Sequence, residues 1–591
     1  MKNILRAMLM TAIGIFLLYI TLLNLSSSES IDKRLNIATL IATPKSPAVV
    51  EVVPEIDNLP LQDNLSIYQF DDSSSVVYMY ITVRKGNSSD NSNHTWGEVN
   101  DFTKWLNGRP FDVVVGKAEV ILQIGDESGP LPNEVGYAET VPNATVQIRG
   151  NSTSAKAQKS YKIELRSRAG EWRGQTTINL NKQFSDTTRT RNKLSFDLIK
   201  QIPNMVSLRT QFVRLFVKDE TTDPPKITFV DYGLYTQVEQ PNKKFLRSHL
   251  LDSDGQLYKA TFFEFHQYPD QIRLADDPLY DEKAFSKVLE IKGNNDHAKL
   301  IQMLDDVNND NIPIEQTFEK YFNADNYFTW MAFNILMGNV DTQSQNFFLY
   351  SPKNANTWYF LPWDYDGDLY RQSQYYIYDY FEYGISNYWG VPLHNRVLKV
   401  ARYREMLDTK INELLAFLTP ERMEGMLQEY KVVTDAYSLQ MPDLYYLPGT
   451  LDKYNKDYQE IPNEIQVNYN LYLESLDSPQ PYFLGTPEVI ENSMIFGWGE
   501  SYDINAQNIT YHFEISKEWD FREIVYEEII PNLTAVTIDM LEPGTYFWRV
   551  TATNENGKTQ YPFDVYFDAD GNPHSGMKYL FITDDGRALE E

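Results

Sequence analysis

The strongest limit on the fold is a change of hydrophobic period partway along the chain. From about residue 76 to 240, apolar and polar residues alternate in short runs separated by turn residues. The runs are VVYMYITV, then FDVVVGKAEVILQIG, NATVQIRG and KSYKIEL between 111 and 165, then FVRLFVKD and ITFVDYGLYTQVEQ. A period of two puts every second side chain on one face, as in half-buried strands. After about Glu282 the period lengthens, and 282–306 and 315–337 read as helices. In the second, Phe328, Met331, Ala332 and Ile335 recur on one helical face, and Gly338 supplies a C-cap. Helical runs resume from about Asn395 to Thr434. Strands first and helices after give an α+β fold class, with a β-rich first lobe and a helical second lobe.

Composition narrows the chemistry. The net charge of −29 argues against sequence-independent nucleic-acid binding, which needs Lys and Arg to release counterions, so no nucleic-acid partner is expected. The absence of cysteine excludes disulfides, thiolate zinc sites and cysteine nucleophiles. None of the 7 His falls in an H-E-x-x-H pattern, so a metal would be hard and oxygen-bound, Mg²⁺ or Mn²⁺.

At the N-terminus, Lys2 and Arg6 precede an uncharged stretch from Ala7 to Leu25, close to the ~20 apolar residues that a bilayer crossing needs. The stretch is long for the apolar core of a signal peptide, and no A-x-A site follows. Residues 1–30 therefore read as an uncleaved signal-anchor, a transmembrane segment, with a cleaved signal as the alternative. The basic residues would stay cytoplasmic, leaving the bulk of the chain extracytoplasmic, anchored to the membrane or else secreted. Residues 31–72, with ATPKSP and DDSSS, read as a spacer carrying a short strand at Val49–Val53.

The tail from about 483 to 591 holds short strands such as ITYHFEIS, AVTIDM, TYFWRV and FDVYFD. The run LEPGTYFWRVTATNENG (541–557) resembles a fibronectin type III domain. That resemblance implies a small β-sandwich with Tyr546 as the tyrosine-corner residue and Trp498 as a buried core aromatic. These aromatics read as core rather than as a platform for ligand.

One stretch concentrates oxygen ligands: GNVDTQSQNFFLYSPKNANTWYFLPWDYDGDL, from Gly338 to Leu369. Asn346–Tyr350 reads as a strand, Ser351–Asn356 as a turn and Thr357–Leu361 as the return strand. If Tyr350 pairs near Thr357, Asn346 pairs near Leu361, and Asp364 lies at the same end as Asn346. Asp341 sits in the loop before the hairpin. A capping Asp with turn-forming Asn and Asp on a solvated hairpin would give the same letters. The layout is also similar to that of protein kinases. There a helix leads into a loop with D-x-x-x-x-N, and a hairpin ends in a second Asp. D-T-Q-S-Q-N has that spacing, and W-D-Y-D-G supplies the later Asp.

Four stretches together resemble the CotH family, the spore-coat protein H kinases. They are VQIRGNSTSAKAQKSYKIEL (146–165), DYGLYTQVEQPNKKFLRSHL (231–250), GQLYKA (255–260) and the hairpin stretch. The resemblance spans about 120 to 370, and the helical part to about 480 is taken with it. It implies an atypical protein-kinase-like two-lobe fold over 73–480, followed by the small β-sandwich over 483–591. It also implies transfer of a phosphoryl group from ATP, with Mg²⁺ or Mn²⁺, to Ser or Thr of a protein substrate. By this resemblance Asp341 is the catalytic Asp and Asp364 the metal-binding Asp. Asn346 fits a second metal ligand by position, and Asp366 either binds the metal too or supports a residue that does. Asp368 reads as a turn residue. Gly338, Asn339 and Val340 stand where an ordinary protein kinase has H-R-D, and no D-F-G occurs.

For the nucleotide, Arg149, Gly150 and Asn151 form a turn whose N–H groups suit phosphate oxygens. In SYKIEL, Lys162 shares the outward face with Ser160 and Glu164 and is the candidate phosphate-pairing Lys, with Lys159 and Lys259 as rivals. The ATP-binding set is thus Arg149, Asn151, Lys162 and Lys259. Glu239 reads equally as a structural ion pair or as a partner for the nucleotide lysine.

Three functions fit. One is a membrane-anchored atypical kinase acting on a coat, surface or secreted protein. The second is a non-catalytic, CotH-like coat-assembly or adhesion protein. The third is a polysaccharide-binding surface protein whose C-terminal domain meets cell wall or glycan. Intact Asp341, Asn346 and Asp364 favour the first.

Overall fold

The computed structural model describes residues 58–106, 109–110, 113–372 and 379–590. The expected signal-anchor, most of the expected spacer and the strand at Val49–Val53 lie outside the described residues. Among the described residues, no helix is long and apolar enough to cross a membrane.

The alternating runs become seven main strands: β1 (Val76–Arg84), β2 (Ala118–Asp126), β3 (Ala144–Arg149), β4 (Ser160–Leu165), β5 (Thr177–Asn181), β6 (Thr210–Asp219) and β7 (Val230–Glu239). They run β1–β6–β7–β5–β4–β3–β2, and β2 pairs back onto β1, so the sheet closes on itself. Only the β1–β6 joint is parallel along that circuit. Closure puts alternate residues inside. Met79, Ile81 and Val83 of β1, Val146 and Ile148 of β3, and Tyr161 and Ile163 of β4 meet in one buried cluster. Each fully buried aliphatic side chain of this kind stabilises by roughly 1.5–3 kcal/mol. Arg149 and Lys162 are left on the outer face, where Lys162 lies opposite Gln147.

A second, four-stranded sheet orders β9 (Leu289–Ile291), β8 (Gln256–Ala260), β10 (Phe347–Ser351) and β11 (Tyr359–Pro362), all antiparallel. The helix expected over 282–306 is three elements instead, Glu282–Ser286, then β9, then Ala298–Val307. Gly293 breaks it at a point where a Cβ would stand 2.4 Å from the Leu257 nitrogen.

Helix α1 (Arg191–Ile199) precedes β6, and α2 (Lys243–Ser248) follows β7. Helix α3 (Ala324–Met337) packs on the second sheet, with α4 (Ala401–Phe417) and α6 (Glu464–Asp477) against α3, while Tyr430 of α5 (Pro420–Tyr437) reaches Phe212 of β6 and Asp197 of α1. Every residue of α3 from Asn326 to Met337 is buried, so it is a central helix rather than an amphipathic surface one.

Two devices tie these parts together. Asp443, buried after α5, reaches the β-strands: Lys182 Nζ lies at 2.7 Å and the Leu234 N–H at 2.6 Å. The segment 58–71 straps the other side. The Tyr359 hydroxyl donates to the Leu59 carbonyl (2.6 Å), and Asp63 meets Nδ1 of buried His249 at 2.6 Å.

In the tail, a three-stranded sheet that includes β12 (Ser493–Gly497) and β15 (Ala535–Asp539) faces a larger sheet. The larger sheet is built on β13 (Thr510–Ser516), β14 (Ile524–Pro531), β16 (Gly544–Thr553) and β17 (Lys578–Ile582). Trp498, Trp548, Phe496 and Phe513 share the core between them. The Tyr546 hydroxyl donates to the carbonyl of Glu542, four residues upstream, at 2.9 Å.

Candidate active site

Helix α3 aims the first candidate. Gly338 ends the helix in the left-handed region (φ 66°), where any Cβ would meet the Asn468 amide at 2.7 Å. A short 3₁₀ turn, Val340–Thr342, then carries Asp341. Asp341 is exposed to solvent, and Nδ2 of Asn346 donates to its Oδ2 at 3.2 Å. Crowding by the surrounding protein, then the charge of Asp364, push the Asp341 carboxyl up to about 6; the bond from Asn346 works the other way.

The hairpin is present, but its register is not the expected one. Tyr350 pairs with Tyr359 and Phe347 with Pro362, two residues further along than a Tyr350–Thr357 pair would give. The cause is Trp358, whose N–H donates to the Tyr321 carbonyl (2.6 Å), so the chain there pairs with Phe322 rather than with β10. Asn346 and Asp364 still leave the hairpin at one end. Both have left-handed backbones (φ 59° each), a conformation Asn and Asp tolerate better than other non-glycine residues and that costs ~1 kcal/mol or more.

The turn after β11 is clamped between two helices. With its amide oxygen toward the turn, Asn192 at the start of α1 accepts from the N–H groups of Tyr365 (3.3 Å) and Asp366 (3.2 Å). Arg191 Nε donates to the Leu369 carbonyl at 3.1 Å, and the Leu369 N–H donates to the Met337 carbonyl at 2.8 Å. Asp368, expected as a turn residue, is fully buried and accepts from the Ser195 hydroxyl. Asp366 has its carboxyl pushed well up by burial and by the charges of Asp364 and Asp341, with Arg149 opposing.

Cations converge from the other side. The Arg149 guanidinium and Lys259 Nζ both lie over the Trp363 ring, 5.9 Å and 5.8 Å from its centroid. Arg149 also faces Asp364 and Asp366. Lys259 pairs with Glu290 across the β8–β9 ladder at 3.3 Å, and Lys292 holds the same carboxylate at 2.7 Å. Burial disfavours the Glu290 charge, but the two lysines outweigh it and hold the carboxyl down to about 2. Lys104 lies among Glu290, Lys259, Lys162 and Arg149; burial first, then the three cations, lower its pKa against the pull of Glu290.

The loop after β3 is a tight turn. Gly150 has φ 83°, and a Cβ there would stand 1.8 Å from Thr153 Oγ1. The Asn151 carbonyl accepts from the Ser154 hydroxyl at 2.5 Å, and Lys159 Nζ donates to the Ser154 carbonyl at 2.6 Å.

Asp341, Asn346, Asp364, Asp366, Arg149 and Lys259 therefore form one constellation. Lys162 stands at its edge, paired with Glu164 at 2.7 Å. Asn151 lies in the exposed loop beside Arg149. Lys159 is occupied in holding that loop. Glu239 is a structural ion pair, buried against Arg209 and His249. Sequence reasoning missed Glu290, Lys104, Trp363 and Asn192. Only Trp363, inside W-D-Y-D-G, carried a signal that could have found it.

The donor set suits a divalent cation. Three carboxylates press on one another, and Arg149 is the cation facing Asp364 and Asp366. Among the described residues no group of three or more His, Asp or Glu could hold a metal on its own. Mg²⁺ is a hard cation that takes one or two carboxylates together with waters and substrate phosphates.

Residues 146–471, more than half of the chain, match the family described as CotH kinase protein, and the chain belongs to that family. It is 22% identical over 249 residues to the inner spore coat protein H of Bacillus subtilis (strain 168). That similarity covers 41% of this chain and 62% of the relative, under two thirds of the relative's length.

Proposed function

We propose that this chain is an atypical protein kinase that transfers the γ-phosphoryl group of ATP to Ser or Thr of a coat, surface or secreted protein. The observation that carries the reading is the constellation itself. A solvent-exposed Asp341, bonded to Asn346, lies within reach of the Asp364 charge, Arg149 faces Asp364 and Asp366, and Arg149 and Lys259 share the Trp363 ring. In this reading Asp341 accepts the proton of the attacking hydroxyl. The hydroxyl oxygen bonds to the γ-phosphorus, the bond from that phosphorus to the β–γ bridging oxygen breaks, and its electron pair leaves with ADP. Arg149 and Lys259 hold phosphate oxygens, and the N–H groups of the Gly150 turn cover them. Asn346, Asp364 and Asp366 would hold Mg²⁺ or Mn²⁺, which when bound neutralises phosphate charge. The barrel-like β-part and the helical part serve as the two lobes, with 483–591 an appended fibronectin type III-like module.

ATP with Mg²⁺ should raise the thermal midpoint of the parent and not that of Asp364→Ala. Equal protection of both would sink the metal assignment. The name of the Bacillus relative carries a second reading, a coat- or surface-assembly protein that keeps the fold and binds without turnover. A coat or cell-surface location goes with either.

A further inference from the structure

The segment 379–390 lies between the catalytic loop and the C-terminal sandwich, and it touches both. On the loop side, Asn387 Nδ2 donates to the Val340 carbonyl at 2.9 Å, and the Tyr388 hydroxyl meets Thr342 Oγ1 at 2.8 Å. Val340 and Thr342 are the two neighbours of Asp341, so the segment grips that residue on both flanks. Between them lies a small cavity walled by Gly338, Asn339 and Val340 on one side and Glu382 and Asn387 on the other. Along this wall the two hydrogen bonds tie the segment to the loop.

On its far side the same segment rests on the sandwich. Tyr380 packs against Tyr561 with the two rings tilted (centroids 4.4 Å apart), and Phe381 meets Phe563 edge-on (4.7 Å). Trp389 stacks on Tyr502 at 5.4 Å, and the Ser575 hydroxyl donates to Asp379. At Gly390 a Cβ would stand 3.3 Å from the Phe563 ring, so the backbone itself leans on that ring. Tyr502 and Phe563 also pack against the main core of the helical part. These contacts come from residues beyond 471, where the match to the family ends.

We propose that the C-terminal sandwich is a positioning element for the catalytic loop, with Phe563 and Tyr561 acting through segment 379–390 on the flanks of Asp341. The sandwich then contributes to turnover from within the chain, besides anything it binds. The inference rests on the phosphoryl-transfer reading above, and its test separates the two.

The test uses the full chain and the variants Phe563→Ala, Tyr561→Ala, Phe563→Leu, Asn387→Ala and the Phe563→Ala/Asn387→Ala pair. Phe563→Ala and Tyr561→Ala should lower kcat about tenfold or more while KM for ATP stays within about twofold, because misplacing a reacting group costs turnover rather than nucleotide binding. Phe563→Leu, which keeps an apolar contact, should restore most of the rate. The double variant should lose no more than the worse single, because both changes act along one path. Amide exchange at 339–343 should quicken about tenfold in Phe563→Ala, with exchange in α3 unchanged. Unchanged kcat with unchanged exchange at the loop would overturn the proposal. So would losses of kcat, KM and protection spread evenly over the chain, the mark of a merely structural role. Tyr561→Ala, at a half-exposed ring contact, decides the matter if Phe563→Ala does not fold. A parent that transfers no phosphoryl group sinks the kinase reading alone, and loop exchange then decides the coupling by itself.

Discussion

His249 makes the stability of this chain depend on pH above neutrality. Its ring is fully buried, with Nδ1 2.6 Å from Asp63 and Nε2 3.1 Å from Glu239, so both nitrogens donate to carboxylates and the ring is an imidazolium. Burial opposes that charge, but Glu239 and Asp63 outweigh it and raise the pKa to about 9 from 6.5. Arg209, bonded to Glu239, and Tyr68, which donates to Asp63 at 2.5 Å, complete the surroundings. A raised folded-state pKa gives stability that is whole below 6.5 and fades as pH climbs through about 9. At about 1.4 kcal/mol per pH unit across that gap, the loss is about 3 kcal/mol. Glu239, held down to about 2 against its burial by His249 and Arg209, reports the same contact from the other side, so the two are not added. That half is present above the ordinary Glu range and is lost as pH falls through about 2. Urea unfolding at several pH values between 6 and 10 measures the effect in the parent and in His249→Gln. The parent should lose stability steeply over that window, and the variant, weaker at neutral pH, should lose less. Parallel slopes would refute the assignment of an imidazolium.

Two further outcomes follow from the geometry. Lys259→Met should raise KM for ATP about tenfold, the scale of one charged hydrogen bond, and Lys162→Met about threefold or less; the reverse order would return the phosphate role to Lys162. Tyr546→Phe should cost about 1 kcal/mol in urea unfolding by removing the bond to the Glu542 carbonyl, and an unchanged midpoint would show that the corner is not stabilising.

The period change was a sound guide to class: alternating runs became the closed sheet and the later runs became mostly helical, with 282–306 broken by the strand Leu289–Ile291 and 315–337 split between Tyr321 and Ala324. The site was legible where chemistry is local. Asp341, Asn346 and Asp364 lie within one stretch, so spacing alone brings them near one another. What depends on partners distant in sequence was not legible. The hairpin register slipped by two because Trp358 bonds to Tyr321, a contact no local pattern encodes. Glu290 sits on a three-residue strand inside what reads as a helix, so its pairing with Lys259 is invisible before the sheet forms. The polar run around Asp186 to Lys193 looks solvent-facing, yet it is buried. Asp186 accepts from the N–H groups of Thr188, Thr190 and Arg191 and pairs with the Arg191 guanidinium at 2.6 Å, while Thr187 bonds Asp457 and Arg191 bonds the Leu369 carbonyl, so the run's polar groups find partners and hydropathy misleads.

The most direct test is transfer of labelled γ-phosphate from ATP by the full chain, with Mg²⁺ or Mn²⁺, to itself and to casein-like acceptors. Asp341→Asn and Asp364→Asn run beside it. The account predicts transfer by the parent and a loss of about a thousandfold or more in each variant. A folded parent that transfers nothing with either metal, or variants that transfer as well as the parent, would contradict it.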